Sequence, residues 1–193
     1  TLFLALVMLA SMAACGKTDT PDNTGDNAEN ATYRVGVCQL AQHPALDAAT
    51  QGFVDALKEA LGDDVKIDVQ NASGDSVNCG TIVNGFVSEG VDLIMANATA
   101  ALQAAASATS DIPVLGTSIT AYGVALDLDD FNGTVGGNIS GTSDLADLEK
   151  QAAMVTEWFP DAKNVGLLFC SAEPNSRYQI DEVTKALTAK GIT

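Results

Sequence analysis

The sequence predicts an α/β chain in which a parallel sheet is flanked by helices, with a complete amino-terminal lobe and the beginning of a second, similar lobe. Two observations carry that expectation. Apolar runs of strand length alternate with helical periodicities from Tyr33 onward, and the first such unit recurs without a gap. Val35-Gly36-Val37-Cys38-Gln39, followed by Pro44 and Ala56-Leu57, comes back as Val165-Gly166-Leu167-Leu168-Phe169, followed by Pro174 and Ala186-Leu187, at one constant offset. An apolar run that ends in a polar loop and a helix start is half of a βαβ unit, and ligands bind outside the carboxyl ends of such strands. Two copies predict two lobes facing one cleft, although βα units also resemble each other by chance over so short a stretch.

Taken in order, Tyr33 to Gln39 reads as the first strand. The first helix spans Ala45 to Leu61, with Leu46, Ala49, Phe53, Ala56, Leu57 and Ala60 at helical spacing and Pro44 ahead of it, where no helical hydrogen bond is lost. Val65 to Val69 alternates as a second strand. Asp75 or Ser76 is placed to cap the next helix, which carries Ile82, Val83, Phe86 and Val87 and ends at Gly90. Val91 to Ala96 is the third strand, and Asn97-Ala98-Thr99 turns into an alanine-rich helix reaching about Thr109. Asp111 to Thr117 reads as the fourth strand, with Pro113 at its start.

Tyr122 to Gly137 is irregular and acidic. The spacing of Asp127, Asp129 and Asp130 is not that of an EF-hand, so a solvated loop is expected and no metal. Gly137 to Asp144 is a short β-like segment, and Leu145 to Phe159 an amphipathic helix with Leu148, Ala152, Val155 and Phe159 on one face. Pro160 stops it. Asn164 to Phe169 is the repeated strand, and Ser176 to about Lys190 the last helix.

The amino terminus has a different character. Leu2 to Ala10 is too short to span a bilayer and resembles the apolar part of a secretory signal. Met12-Ala13-Ala14-Cys15-Gly16 follows directly and resembles a bacterial lipobox, so residues 1–15 are expected to be a lipoprotein signal peptide ending at a lipidated Cys15. An ordinary signal peptide followed by a free cysteine is the alternative. Residues 16–32 offer almost nothing to bury and should be a flexible tether. The folded part then divides into a first lobe over 33–143 and the start of a second over 144–193, the whole reading as a fragment.

The net charge of −16, from 25 acidic and 9 basic residues, argues against nucleic acid and against adsorption to anionic lipid by a basic patch. Cys38, Cys79 and Cys170 lack the close spacing of a zinc site. Cys38 and Cys170, at strand ends, are expected to be buried free thiols, with a disulfide between two of the three left open.

Gln39 with His43-Pro44-Ala45-Leu46-Asp47, Gln70-Asn71-Ala72 with Gly74-Asp75, Val91-Asp92-Leu93-Ile94, Gly137-Asn138-Ile139-Ser140-Gly141 with Ser143-Asp144, and Glu149-Lys150-Gln151 together resemble one family. The chain is similar to the substrate-binding lipoproteins of ABC transporters, of the type I periplasmic-binding-protein fold, in the branch associated with tryptophan or tyrosine uptake. The resemblance implies a non-catalytic, extracytoplasmic protein without a cofactor. It would be held to the cell membrane by lipid alone and deliver a small molecule to an ABC permease and its ATPase. It also implies a crossover between lobes near Gly141 to Asp144. Cys38 and Cys79 depart from the family pattern, as does Gly116 to Tyr122, where many members carry a threonine, an aspartate and a proline.

An amino acid brought into a dry cleft needs partners for its carboxylate and its ammonium. Arg177 is the only basic residue near a predicted cleft loop, so the carboxylate is expected to meet backbone amides at Ala98-Thr99 with the hydroxyls of Thr99 and Ser118. Asp144, beside Ser143 at the crossover, is the first choice for the ammonium and Glu173 the second; capping the following helix is the alternative role for Asp144. Gln39 and His43 on the first loop face Asn175 and Ser176 on the opposite wall, and helix capping is the competing role for the last three. Rival readings are an enzyme, a ligand-sensing ectodomain and a sugar-binding protein of the same fold. No GxSxG, P-loop, GxGxxG or HExxH motif supports the first, and an aromatic content of 5% tilts the ligand from sugar towards amino acid.

Overall fold

The computed structural model describes residues 32–193. The expected signal peptide, Cys15 and the expected tether up to Ala31 lie outside the described residues. The elements run β1 (Tyr33–Gln39), α1 (Pro44–Leu61), β2 (Val65–Asn71), α2 (Ser76–Glu89), β3 (Leu93–Asn97), α3 (Thr99–Ala108), β4 (Val114–Ile119), the short α4 (Tyr122–Ala125), β5 (Ile139–Ser143), α5 (Leu148–Trp158) and α6 (Pro174–Thr188). The five strands form one parallel sheet in the order β2-β1-β3-β4-β5. Strand order reverses between β1 and β3, which opens a crevice at their carboxyl ends.

Side-chain alternation assigns the two faces of the sheet. Cys38, Ile94, Ala96 and Val114 point into the main core with Cys79, Val83 and Phe86 of α2 and Ala101, Leu102 and Ala105 of α3. Gly36 shares that face, and a Cβ there would stand 2.5 Å from the Phe86 ring, so α2 packs directly on the strand backbone. On the other face Val35, Val37 and Met95 are buried, and α1 covers them with Thr50 and Val54. Ala56 and Ala60, expected on the buried side of α1, are exposed; the stripe is rotated towards Thr50 and Val54.

Local signals set the helix ends. The Asp75 carboxylate accepts from the Val77 amide at 2.8 Å to cap α2, and Gly90 ends it with a left-handed φ of 64°. Proline opens both α1 and α6, so Pro44 and Pro174 hold the same place in the two repeated units. The irregular stretch after β4 contains α4, whose Tyr122 is buried and donates its hydroxyl to the Gly116 carbonyl at 3.1 Å. Burial raises the pKa of that phenol, so it stays a donor at neutral pH.

Four expectations fail in the carboxyl-terminal part. Residues 164–169 form no strand, because a strand exists by pairing and this one has a single rung: Val165 donates to Thr193 at 2.8 Å and Thr193 to Lys163 at 2.9 Å. Leu168 is accordingly fully exposed, and Cys170 lies on the surface instead of in a core. Phe159 is exposed just beyond α5, while Ala152, Leu187 and Ile192 make a small separate cluster between α5 and α6. Finally, α5 starts at Leu148 and is capped by Asp147, which accepts from the Lys150 amide at 3.0 Å; Asp144 does not cap it.

Candidate functional site

The carboxyl edge of the sheet collects Gln39, Asn71, Asn97, Ile119 and Ser143, the last residues of β1 to β5. Gln39, expected to donate to a ligand, is instead committed within the chain. Its amide donates to the Ala41 carbonyl at 2.8 Å and to Asp47 at 2.6 Å, and its oxygen accepts from the Thr50 hydroxyl at 2.6 Å. Thr50 in turn accepts from the Asn97 amide at 2.9 Å, and Asn97 also donates to the Leu46 carbonyl at 2.8 Å. This buried polar chain ties β1, α1 and β3 together at the crevice and fixes the first loop. Asn97 and Thr50 escaped the sequence reading. An asparagine ending an apolar strand, opposite a threonine on the inner face of α1, was the available signal. The Asn97 Oδ1 atom is buried and, among the described residues, has no partner.

His43 serves as the α1 cap, its Nδ1 accepting from the Ala45 amide at 3.2 Å. Across the edge, Ala98 precedes α3 and offers no capping side chain, so the amides of the first turn are free to meet an anion. Its backbone sits at φ 87° and ψ 161°, a region that glycine alone visits without strain. Thr99 is buried beside it. Ser118 also has a positive φ, 56°, where the β4–β5 register shifts between Gly116 and Ile119. Strained backbone at two neighbouring strand ends marks the edge where shape has been kept at a cost in stability. Ala98→Gly is expected to stabilise the protein by about 1 kcal/mol, strain relief exceeding the added chain entropy. Urea unfolding measures it, and a destabilised variant would remove the strain argument.

Ser143 is engaged locally, donating to the Thr120 carbonyl at 2.9 Å and accepting from the Leu145 amide at 3.2 Å. Asp144 is held by its backbone, whose amide donates to the Ile119 carbonyl at 3.0 Å. Its carboxylate is exposed and has no hydrogen bond or ion pair among the described residues. Glu173 accepts from the Ser176 hydroxyl at 2.8 Å at the start of α6, and Asn175 stands between them in sequence. Arg177 lies over the Phe169 ring, 4.5 Å from its centroid, and 3.9 Å from Asp181.

Two depressions open on this edge. One, of about 770 Å³, mixes polar and apolar surface and is lined by Gln39, Gln42, Asp47, Val69, Asn71 and Ser73. The other, of about 660 Å³, is largely apolar and lies between α4, the loop before β5, and α6, with Tyr122, Phe131, Val135, Leu145 and Tyr178 in its wall. Asp144 stands between Ser143 and Leu145 of that wall.

A family model described as ABC transporter substrate binding protein matches residues 34–193. The chain belongs to this family. Among curated relatives, the tyrosine-binding protein of Clostridioides difficile (strain R20291) is 36% identical, the match covering 93% of this chain and 55% of that one. Among solved structures, a conserved domain protein from Vibrio cholerae has a TM-score of 0.78 at 32% identity, over 84% of this chain and 55% of its own. An ABC domain in complex with L-Trp from Streptococcus pneumonia has a TM-score of 0.77 at 35% identity, over 84% and 56%. The chain thus spans about half the length of the relatives it matches. The fold of this family member is of the type I periplasmic-binding-protein kind, and substrate-binding proteins of ABC importers are extracytoplasmic. Among the described residues, no helix is long and apolar enough to cross a membrane.

Proposed function

We propose that this chain forms one wall of an extracytoplasmic solute-binding protein that captures an aromatic amino acid between two lobes and delivers it to an ABC permease, without chemistry of its own. The lobes would divide after Ser143, and a lipidated Cys15 would hold the protein to the cell membrane. One observation carries the ligand class: an uncapped helix start at Ala98-Thr99 and the unpartnered Asp144 carboxylate lie on the same sheet edge.

The spacing suits a zwitterion. β3 and β5 are two strands apart, roughly 10 Å at the usual separation of neighbouring strands. A carboxylate and an ammonium on one carbon, each about 3 Å from its protein partner, span a similar distance. Ser118, at the end of the intervening β4, can add a hydroxyl to the carboxylate side. The apolar depression beside Asp144 would take the side chain, and its Tyr122, Phe131 and Tyr178 favour an aromatic ring. The tyrosine and L-Trp named for two relatives point the same way. Gln39 and His43 would act by holding the first loop in shape, and Glu173, Asn175 and Ser176 would belong to the opposite wall. Closure of the lobes on ligand would create the form that the permease recognises.

Calorimetric titration of the full-length, unlipidated protein against tryptophan, tyrosine, phenylalanine, branched-chain amino acids and a few sugars tests this reading. Saturable heat is expected with an aromatic amino acid. Heat with a sugar alone would keep the fold and discard the ligand, and silence throughout would discard capture of these solutes altogether.

A further inference from the structure

Cys38 and Cys79 come from elements distant in sequence and meet in the core. Cys38 lies two residues beyond Gly36 on β1, hence on the same face of the strand, and Cys79 lies two helical turns before Phe86 on α2, hence on the same side of the helix. Because the Phe86 ring rests on Gly36, α2 runs back over β1 and its next meeting point with the strand is Cys79 against Cys38. Both residues are fully buried in one core cluster as free thiols. β1 is clamped on both sides here, Cys38 standing opposite Gln70 of β2 and Ala96 of β3.

We propose that Cys38 and Cys79 are a disulfide site, oxidised as the chain folds outside the cytoplasm and tying β1 to α2. The proposal rests on the extracytoplasmic placement above. An oxidising compartment gives two cysteines packed in one buried cluster a use. Closing the bond asks the two side chains, already in one buried cluster, to bring their sulfurs to an S–S distance of about 2.0 Å. The oxidant is a protein or small molecule carrying a reactive disulfide. A thiolate of the pair attacks it, forming a mixed disulfide and releasing one oxidant thiol. The second cysteine then attacks the mixed disulfide, releasing the other, so that two protons and two electrons pass from the pair to the oxidant. Exchange precedes the docking of α2, and the closed core afterwards shields the bond from reductants. In the dithiol state the neighbouring Cys79, and then burial, push Cys38 up, while the same contact lowers Cys79, so the two thiols lie close enough to shift one another. Cys170 is on the surface and takes no part.

The test is peptide mapping of the full-length protein exported by its host, denatured in an alkylating agent without reductant. The expected result is a Cys38–Cys79 cross-linked peptide with both sulfurs unlabelled until reduction. Reduction should lower Tm by about 10 °C, as expected for a loop of about 40 residues, and leave the Tm of a Cys38→Ala/Cys79→Ala variant unmoved. Full labelling of both thiols in exported protein, or a cross-link from either to Cys170, overturns the proposal. Amino-acid titration of the same sample separates the two readings. Binding heat with free thiols sinks the disulfide alone, and a cross-link without heat supports the disulfide and sinks the ligand.

Discussion

Asp144→Asn is expected to weaken binding of the aromatic amino acid by about 100-fold while leaving the melting temperature within about 1 °C of the parent. Removing one partner of a desolvated, hydrogen-bonded charge pair costs about 2–5 kcal/mol, and 100-fold lies within that range. Asparagine keeps the shape and loses only the charge. Stability is spared because the side chain bears no load: the strand contact at this residue is the backbone bond from its amide to Ile119, which asparagine retains. The helix that follows is capped by Asp147, whose carboxylate takes the Lys150 amide at 3.0 Å and its ammonium at 2.8 Å. Those contacts hold the Asp147 carboxyl below its usual range and the Lys150 ammonium above its own, so this cap persists at neutral pH. Asp147→Ala should therefore show the opposite pattern, lower stability with unchanged affinity. Calorimetric titration with a thermal melt on each variant decides it; Asp144→Asn binding within twofold of the parent removes Asp144 from the ammonium role.

That pair of aspartates shows where the sequence is legible and where it is not. The alternation of strands and helices, the Asp75 cap, the Gly90 stop and the prolines opening α1 and α6 are all written locally, because each depends on residues within a few positions. Asp144 and Asp147 precede the same apolar periodicity, and either is a plausible cap by spacing. The choice falls to β4, whose Ile119 carbonyl binds the Asp144 amide and holds that residue at the end of β5. A contact from another strand is invisible to spacing. The intrachain partners of Gln39 are hidden from the sequence for a related reason. Its position at a strand end suggested a free donor, but α1 folds back and brings Asp47 and Thr50 onto both ends of its amide. The apolar run at 164–169 had the composition of a strand without the neighbours that make one, and β-propensity expresses packing that must come from elsewhere. The meeting of Cys38 and Cys79 depended on the direction in which α2 crosses β1, which only the packing of Phe86 on Gly36 reveals.

Gly141→Ala is expected to cost about 3 kcal/mol or more of unfolding free energy, the largest single effect on stability of any exposed position here. Gly141 lies in β5 opposite Gly116 of β4, at a φ of 150°. A Cβ there would press into the Gly116 carbonyl oxygen and the Tyr122 hydroxyl at once, with the Gly116 backbone nitrogen 2.7 Å away. The tyrosine could be trimmed, but a backbone carbonyl in a paired strand has nowhere to go. β5 is the last strand of the sheet and is held from one side only, so the clash is resolved by lifting it off β4. Tyr122→Phe in the same chain should therefore fail to rescue the variant. Gly166→Ala should change stability by less than about 0.5 kcal/mol, since nothing lies within 4 Å of its added carbon. Because Ser143 and Asp144 follow directly at the end of β5, detaching that strand also carries the proposed ammonium partner away from the cleft, and affinity should fall with stability. Urea unfolding and calorimetric titration of the three variants test both halves. A Gly141→Ala protein as stable as its parent would mean that the β4–β5 contact yields without strain, and the glycine would then have no structural reason to be there.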